Sequence, residues 1–317
     1  MPVGNASDGI GLFAGQIMFA ANMNLQYIDW SHDPTEDEDF DHFGHLNSQI
    51  FLPSITIGLS DYWNMNYTQM IAVRTMGWGP HEESNHHRDE SSLDDFVNAK
   101  GGWLGDGKLK FQYLLTNTGM QAGDRIFLGL GVSIPSDNVL TLSPFFESGE
   151  VVEPHRHFAL SDGTYKGLLE LQYFKKTAYN PVFWGLKTEV AIPLSDSDYG
   201  YRAGESYNIA LTTLFKLNSK TPVSPIGISL GLFYLHMGQG YWNDTIDPSS
   251  KSTMIVPSIG GIWKIGKQGF SINVQKPYLI DGIGVGNENA LNNQFDAIEI
   301  TIGYRYTLDY VIPWLYF

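Results

Sequence analysis

The sequence of 317 residues contains no cysteine, few basic residues and no long apolar run, and each absence excludes classes of protein. Without cysteine there can be no disulfide, no thiolate nucleophile and no cysteine-ligated metal. The 19 Lys and Arg against 34 Asp and Glu give a formal net charge of -15, which argues against nucleic acid as a partner. No apolar run reaches the roughly 18 residues of a transmembrane helix. The chain could therefore span a bilayer only as a closed barrel.

The composition fits that possibility. Aromatic residues make up 14% of the chain, glycine is abundant at 34 residues, and charged residues are only 17%. Glycine-rich turns and aromatic girdles are typical of membrane barrels. Residues 1–11 lack the basic start and apolar core of a signal peptide. Because an outer-membrane protein is exported, we expect the numbering to begin near a mature terminus.

The clearest single pattern covers residues 294–308, which alternate with a period of two. One parity carries Ile298, Ile300, Ile302, Tyr304, Tyr306 and Leu308. The other carries Ala297, Glu299, Thr301, Gly303, Arg305 and Thr307. A strand places the two parities on opposite faces, so one face is apolar and the other polar. A soluble sandwich can have such a strand, but a barrel strand with lipid outside and water inside requires it.

Similar alternation recurs along the chain and predicts further strands. They are expected at about 13–30, 45–59, 63–78, 106–115, 125–134, 164–175, 182–193, 206–217, 226–236, 252–265 and 270–276. Pro257 predicts a bulge or distortion in the strand that contains it. The pattern indicates one all-β domain over residues 1–317. We expect an antiparallel up-and-down barrel of about twelve strands over about 13–308, followed by a tail, 309–317.

The connections between these strands alternate in length, which the strand periodicity does not require. The short ones are 60–62, 117–124, 177–181, 218–225 and 266–269, and the long ones are 31–44, 79–105, 136–163, 195–205, 239–251 and 277–293. Outer-membrane barrels have short periplasmic turns and longer extracellular loops. We therefore expect an outer-membrane location in a Gram-negative-type bacterium, with both termini periplasmic.

The tail leaves two interpretations open. Its terminal aromatic residue, Phe317, is typical of substrates of the barrel-insertion machinery, but Pro313 disfavours a central strand. Either the closing strand ends at Leu308 and the tail packs separately, or the last strand is bent and longer.

The polar parities provide candidate pore-lining residues. If the apolar parity faces lipid, the residues facing the lumen include Lys108, Lys110, Gln112, Glu170, Gln172, Lys187, Glu189, Asn208, Lys216, Gln275, Glu299 and Arg305. They could line a water-filled pathway, or their opposite charges could pair and plug the bore. Twelve strands lie between the filled eight-stranded and the open sixteen-stranded barrels, so both alternatives stay open.

Histidines concentrate in the first three long loops, among carboxylates. His81, His86 and His87 form a candidate metal site in the segment HEESNHHRDE, because imidazole and carboxylate suit zinc, copper or nickel. Their spacing matches no compact site motif, so solvated loop faces are the alternative. Such faces could be bridged by divalent cations to lipid headgroups or to a partner.

No catalytic constellation is present, so the chain is not expected to be an enzyme or to hold a cofactor. His236 lies in a predicted strand near the outer rim, as the base of an outer-membrane phospholipase would, but residues 237–240 include no serine nucleophile. We expect His236 to hydrogen-bond to a neighbouring strand.

Three short motifs carry a family resemblance. They are Leu128-Gly129-Leu130-Gly131-x-x-x-Pro135, Tyr234-x-His236-x-Gly238 and Val274-Gln275-x-Pro277. With the order of the strands between them, residues 105–308 resemble the outer-membrane family named for the meta-cleavage pathway of phenol degradation. The resemblance implies an exported β-barrel transporter that passes small aromatic or hydrophobic molecules. The first two long loops are not part of the family pattern.

Together these patterns predict a passive channel for small solutes, aromatic or hydrophobic compounds among them, gated by loops 79–105 and 136–163. The expected partners are outer-membrane lipid, the barrel-insertion machinery and the solute. The alternative is an occluded scaffolding barrel. Its acidic, histidine-containing loops would dock a surface or periplasmic protein or bind divalent metal.

Overall fold

A computed structural model of the protein describes residues 11–32, 42–78, 90–95, 98–119, 122–143, 158–218, 224–247, 250–282 and 294–316. Within these residues, twelve long strands form one sheet. They are β1 (Gln16–His32), β2 (His42–Gly58), β3 (Trp63–Trp78), β4 (Leu104–Asn117), β5 (Gly123–Ile134), β6 (Lys166–Lys176), β7 (Phe183–Pro193), β8 (Ser206–Lys216), β9 (Gly227–Met237), β10 (Ser252–Ile265), β11 (Gln268–Gln275) and β12 (Gln294–Val311).

The sheet is closed. Each long strand pairs antiparallel with its neighbours in chain order, and β12 returns to pair with β1 from Gln16↔Val311 to Ser31↔Gln294. Within the described residues, every long strand therefore has a partner strand on both sides. The predicted all-β class and twelve-stranded up-and-down barrel are therefore confirmed. Among the described residues, no helix is long and apolar enough to cross a membrane.

The two faces of the sheet differ as the alternation predicts. On β12, Ile298, Ile300 and Ile302 are exposed, while Ala297 and Thr301 of the other parity are buried. The same apolar exposure recurs around the outside of the barrel, for example at Phe51, Phe111, Leu130, Leu171, Leu211, Leu230 and Ile272. An outward apolar band of this kind is the surface that lipid covers in a membrane barrel.

The two rims of the barrel carry connections of different length. Connections 59–62, 118–122, 177–182, 217–226 and 266–267 lie at the rim where β1 begins and β12 ends, which we call the short-turn rim. The strand ends that are joined by residues 33–41, 79–103, 135–165, 194–205, 238–251 and 276–293 lie at the opposite, long-connection rim. The predicted sorting of the connections is therefore present in the fold.

The end of the chain follows the second of the two interpretations left open by the sequence. β12 continues past Leu308 to Val311, which pairs with Gln16. The backbone N–H of Ile312 then donates to the Gly15 carbonyl at 2.8 Å, and Pro313–Leu315 forms a single 3₁₀ turn. Proline thus ends the strand instead of interrupting it.

The distortion predicted at Pro257 affects only one side of β10. On the β9 side, Pro257 pairs with Leu232 in an unbroken register. On the other side, pairing with β11 stops at Ser258, and the short strand Tyr278–Asp281 takes over after a gap. Because proline has no N–H to donate, it is tolerated where the partner strand changes.

Candidate functional site

A cluster of charged side chains lies inside the barrel. The Lys110 ammonium is 2.6 Å from Glu170 Oε2 and 2.9 Å from Glu189 Oε2. Lys108 Nζ is 2.9 Å from Glu189 Oε1, and Lys187 Nζ is 3.5 Å from Glu170 Oε2. We call these five residues the charged cluster. They come from β4, β6 and β7, so their side chains reach one another across the inner face of β5.

Two glycines on β5 make this crossing possible. A β-carbon added at Gly129 would lie 2.9 Å from the β-carbon of Glu170, and one added at Gly131 would lie 2.7 Å from Lys110 Cγ. Real β-carbons do not come so close to other atoms, so β5 needs glycine at both positions. The alternating glycines of the LGLG motif therefore provide the space in which the charges of neighbouring strands pair.

The buried carboxylates of the cluster are fully engaged. Besides its two lysines, Glu170 accepts hydrogen bonds at Oε1 from Gln112 Nε2 at 2.6 Å and from Gln172 Nε2 at 2.7 Å. A buried ion pair repays its desolvation only when its remaining hydrogen-bonding groups are also satisfied. With three ammonium groups around two carboxylates, this part of the wall is held together internally.

Many of the other buried positions of the inner wall carry uncharged polar side chains. Asn66 Nδ2 donates to Thr56 Oγ1 at 2.9 Å, and Ser229 Oγ donates to Asn273 Oδ1 at 2.9 Å. We call this set the amide–hydroxyl wall. Its members are Asn22, Ser48, Thr56, Asn64, Asn66, Thr212, Ser229, Asn273 and Thr301, all buried. Amides and hydroxyls both donate and accept hydrogen bonds, so this wall can solvate a polar solute without binding it as a counter-ion.

An apolar layer closes in on the interior near the short-turn rim. Phe127, Phe174, Phe183, Leu214 and Ile262 form one buried cluster, in which the rings of Phe174 and Phe183 are stacked 5.4 Å apart. The side chains of this set have no polar atoms, so the interior is apolar where they pack together.

The segment before β1 reaches this apolar layer. A β-carbon added at Gly11 would lie 3.6 Å from the Phe127 ring and 3.9 Å from Leu114. Leu12 is buried and packs in a second cluster with Met18 and Ala20 of β1. Because Phe127 lies on β5 and Met18 on β1, residues 11–12 extend across the barrel at this rim.

At the long-connection rim, the described parts of connections 79–103 and 135–165 pack together. Asn138 Nδ2 donates to the carbonyls of Ser92 at 3.1 Å and Gly102 at 2.6 Å, and its Oδ1 accepts from the Leu160 N–H at 2.9 Å. Arg74 of β3 donates from Nη1 to the Ala159 carbonyl at 2.9 Å. The two connections expected to gate the bore are therefore joined to each other and to the barrel wall.

The residues predicted to line the pore fall into three groups. Lys110, Gln112, Glu170, Gln172 and Glu189 are buried inside the barrel, whereas Lys108, Lys187, Asn208, Gln275, Glu299 and Arg305 are half-buried. Lys216, the last residue of β8, is exposed at the short-turn rim and does not reach the charged cluster.

Only some of the histidines lie within the described residues. His81, His86 and His87, the candidate metal ligands, lie outside the described residues. His236 lies on the outer face next to Tyr207, its cross-strand partner on β8. Its Nδ1 is 2.8 Å from Thr253 Oγ1 on β10. The predicted hydrogen bond to a neighbouring strand is confirmed.

Sequence reasoning missed much of the inner wall. Asn64 and Asn66 alternate with Met65 and Tyr67 on β3, so the parity argument applied to this strand would have found them. Leu12 gave no such signal, because a segment outside a strand has no periodicity.

Comparisons with known proteins identify the fold class. No family model matches the chain, and no curated protein matches it. An outer membrane channel from Pseudomonas putida F1 is similar in structure, with a TM-score of 0.61 at 12% sequence identity over 96% of this chain and 100% of that one. The chain therefore has the fold of an outer-membrane β-barrel.

Two further solved structures are more distant. The translocator domain of autotransporter NalP from Neisseria meningitidis has a TM-score of 0.42 at 9% identity, over 94% of this chain and 90% of that one. The CymD monoaromatic hydrocarbon channel has a TM-score of 0.40 at 6% identity, with the same coverage of 94% and 90%.

Proposed function

We propose that this protein is an outer-membrane channel for the passive passage of small solutes, aromatic or hydrophobic compounds among them. One observation carries the proposal: a closed barrel with an apolar outer face has an inner wall of amides, hydroxyls and paired charges. Such an interior can solvate a passing molecule, whereas a purely structural barrel has no need of buried polar groups, which are costly unless satisfied. The similarly folded channel from Pseudomonas putida F1 supports the same conclusion.

The chemistry of the interior suggests how solutes are selected. The charges of the cluster are paired with one another, but three lysines face two carboxylates, so the cluster keeps one net positive charge. The amide–hydroxyl wall accepts neutral polar groups, and the apolar layer around Phe127 and Phe174 accepts hydrocarbon. A small molecule with an apolar body and one polar group matches both surfaces. The sequence resembles an outer-membrane transporter family, although no family model matches the chain. That resemblance agrees with such solutes.

We propose that the short-turn rim is periplasmic, with both termini on that side, and that the long-connection rim is extracellular. In known barrels the long loops face outward. The gate that we propose, formed by the connections that Asn138 and Arg74 hold together, would then lie at the extracellular mouth. The partners proposed with this orientation are outer-membrane lipid, the barrel-insertion machinery and, at the acidic loops, a surface or periplasmic protein.

Reconstitution tests the proposal. Purified protein in a planar bilayer is expected to give discrete ion currents, and liposomes that contain it are expected to take up benzyl alcohol faster than empty liposomes. Heat-denatured protein is the control. Absence of both current and accelerated uptake would contradict the channel and favour the occluded scaffolding barrel.

A further inference from the structure

Arg305 is an inward-facing arginine outside the charged cluster. In the β-ladder it lies directly opposite Ala20 of β1 and Gly269 of β11. Residues paired across strands share a face, and Ala20 is buried against Leu12 and Met18 inside the barrel. The guanidinium of Arg305 therefore extends from the inner wall, near the short-turn rim, and is half-buried.

This guanidinium lacks a partner. Within the described residues, Arg305 makes no ion pair and no side-chain hydrogen bond, whereas each lysine of the charged cluster contacts a carboxylate. A guanidinium has five N–H donors and always carries its charge. Removing such a group from water without an acceptor is costly. An anion that entered the barrel would provide the missing acceptor.

The neighbours of Arg305 on the inner face have small side chains. They are its cross-strand partners Ala20 and Gly269, and Gly303 two residues away on the same face. Next to Ala20 lies the apolar cluster with Leu12 and Met18. The arginine thus borders glycine on one side and hydrocarbon on the other.

A second unsatisfied donor lies on the same strip of wall. Asn273 of β11 is only 2% exposed, and among the residues that the structure describes its Nδ2 has no hydrogen-bond partner. Its Oδ1 already accepts from Ser229, so the atom left over is a donor. Asn273 pairs with Thr301, four residues before Arg305 on β12. The same strip also carries an unsatisfied acceptor, because Asn24 Oδ1 of β1, opposite Thr301, has no hydrogen-bond partner within the described residues. The permanent charge of Arg305 is therefore what points to an anionic ligand.

We propose that Arg305 binds the carboxylate of a small amphipathic acid, whose carbon skeleton packs against Leu12, Met18 and Ala20. A planar guanidinium matches a carboxylate with two parallel hydrogen bonds. A single cation suits a monoanion, and the adjacent apolar cluster favours an acid with a hydrocarbon body over an inorganic anion. Asn273 donates to the same class of solute deeper in the bore. This inference rests on the proposed channel and defines its solute class.

The test compares benzoate with its neutral counterpart benzamide. In planar bilayers at neutral pH, benzoate is expected to reduce the wild-type current saturably, and benzamide is not. Arg305→Gln should raise the half-blocking concentration by about tenfold or more, since hydrogen bonds to charged groups are the strong ones. Arg305→Lys keeps the charge but loses the paired geometry, so its shift should be smaller. Lys175→Gln removes an exposed charge near the same rim and should behave as wild type.

Equilibrium dialysis of radiolabelled benzoate against the folded barrel separates this inference from the channel itself. Binding by wild type that Arg305→Gln loses would sustain the site even if no current were seen, in which case only the channel proposal would fail. Currents that benzoate blocks equally in wild type and Arg305→Gln, or binding that the substitution leaves unchanged, would overturn the inference. Equal block by benzamide or by chloride alone would also overturn it.

Discussion

At the scale of single residues, Lys110 holds the charged cluster together. It bridges Glu170 and Glu189, and both carboxylates are buried. Lys110→Met keeps most of the side-chain volume but removes the charge. We expect the free energy of unfolding to fall by about 1–3 kcal/mol, because each buried carboxylate loses one charged hydrogen-bond donor and keeps a single lysine as its partner. Urea titration of the barrel in detergent or lipid vesicles, followed by tryptophan fluorescence, measures it.

Lys108→Met is the matched control. Lys108 contacts Glu189 at 2.9 Å, but 41% of its side chain is exposed, against 10% for Lys110. Solvent screens such a pair, so its loss should cost no more than about 1 kcal/mol. Equal destabilisation by the two substitutions would contradict the assignment of Lys110 as the central residue.

A second prediction concerns the glycines on the inner face of β5. Gly131→Ala would place a carbon 2.5 Å from the Leu109 carbonyl and 2.7 Å from Lys110 Cγ. Because one of these contacts is with backbone, the wall has to shift, at a cost of about 1–3 kcal/mol for overpacking. In Gly167→Ala the nearest atom is the exposed Leu194 side chain at 3.3 Å, so little change is expected. The midpoint of urea unfolding compares the two, and equal midpoints would disprove the packing argument.

At the scale of elements, the seam between β1 and β12 is the joint that closes the barrel. Gly15 lies at its end with a φ of 77°, donates to the Gly58 carbonyl at 2.7 Å and accepts from the Ile312 N–H at 2.8 Å. It therefore joins the start of β1 to both β2 and the end of β12. A side chain here would meet Ile312 O at 2.6 Å.

Gly15→Ala is expected to reduce the free energy of unfolding by about 1–3 kcal/mol, the usual cost of a strained backbone position. Gly11→Ala, whose added carbon would make only an ordinary contact of 3.6 Å with Phe127, is the control in the same segment. Refolding from urea into lipid vesicles, read as the heat-modifiable shift on gels, gives both values. If Gly15→Ala refolds and unfolds like Gly11→Ala, the seam does not depend on Gly15.

The strands themselves were largely predictable, because alternation is a local property of the sequence. Both ends of β3 and β10 were placed correctly, and other strand ends moved by a few residues. β12 continues to Val311 because Gln16 of β1 remains available as a partner there. The sequence left this longer strand and an end at Leu308 both open, because Pro313 disfavours a central strand. Pairing with a distant strand is not visible in local sequence.

The interior was less predictable than the strands. Parity assigned Lys110, Glu170 and Glu189 to one face of their strands, but which charges meet depends on the stagger of β4, β6 and β7 and on the missing side chains of β5. The sequence therefore left an open lumen and a plugged one equally possible. Residues 11–12 enter the barrel through tertiary packing alone.

At the scale of the whole molecule, the interior is arranged in layers. Packed connections lie at the long-connection rim, the polar walls lie in the middle, and the apolar layer with Leu12 lies near the short-turn rim. Deleting residues 1–12 removes Gly11 and Leu12 from the bore and leaves all twelve strands. We expect a larger single-channel conductance than in wild type at the same salt concentration. An unchanged conductance in a correctly folded variant would show that this segment does not limit passage.

If the interior of the barrel is the route of passage, a group attached to its inner wall should reduce the current. The absence of native cysteine permits a direct test. Asn208 lies on the inner face opposite Glu189, whereas its neighbour Ile209 is exposed on the outer face. Single-channel currents are recorded from Asn208→Cys and Ile209→Cys before and after a water-soluble thiol reagent is added. Currents are expected in both variants, and the reagent is expected to reduce the current only in Asn208→Cys. No current in either variant, or a current that modification of Asn208→Cys leaves unchanged, would contradict it.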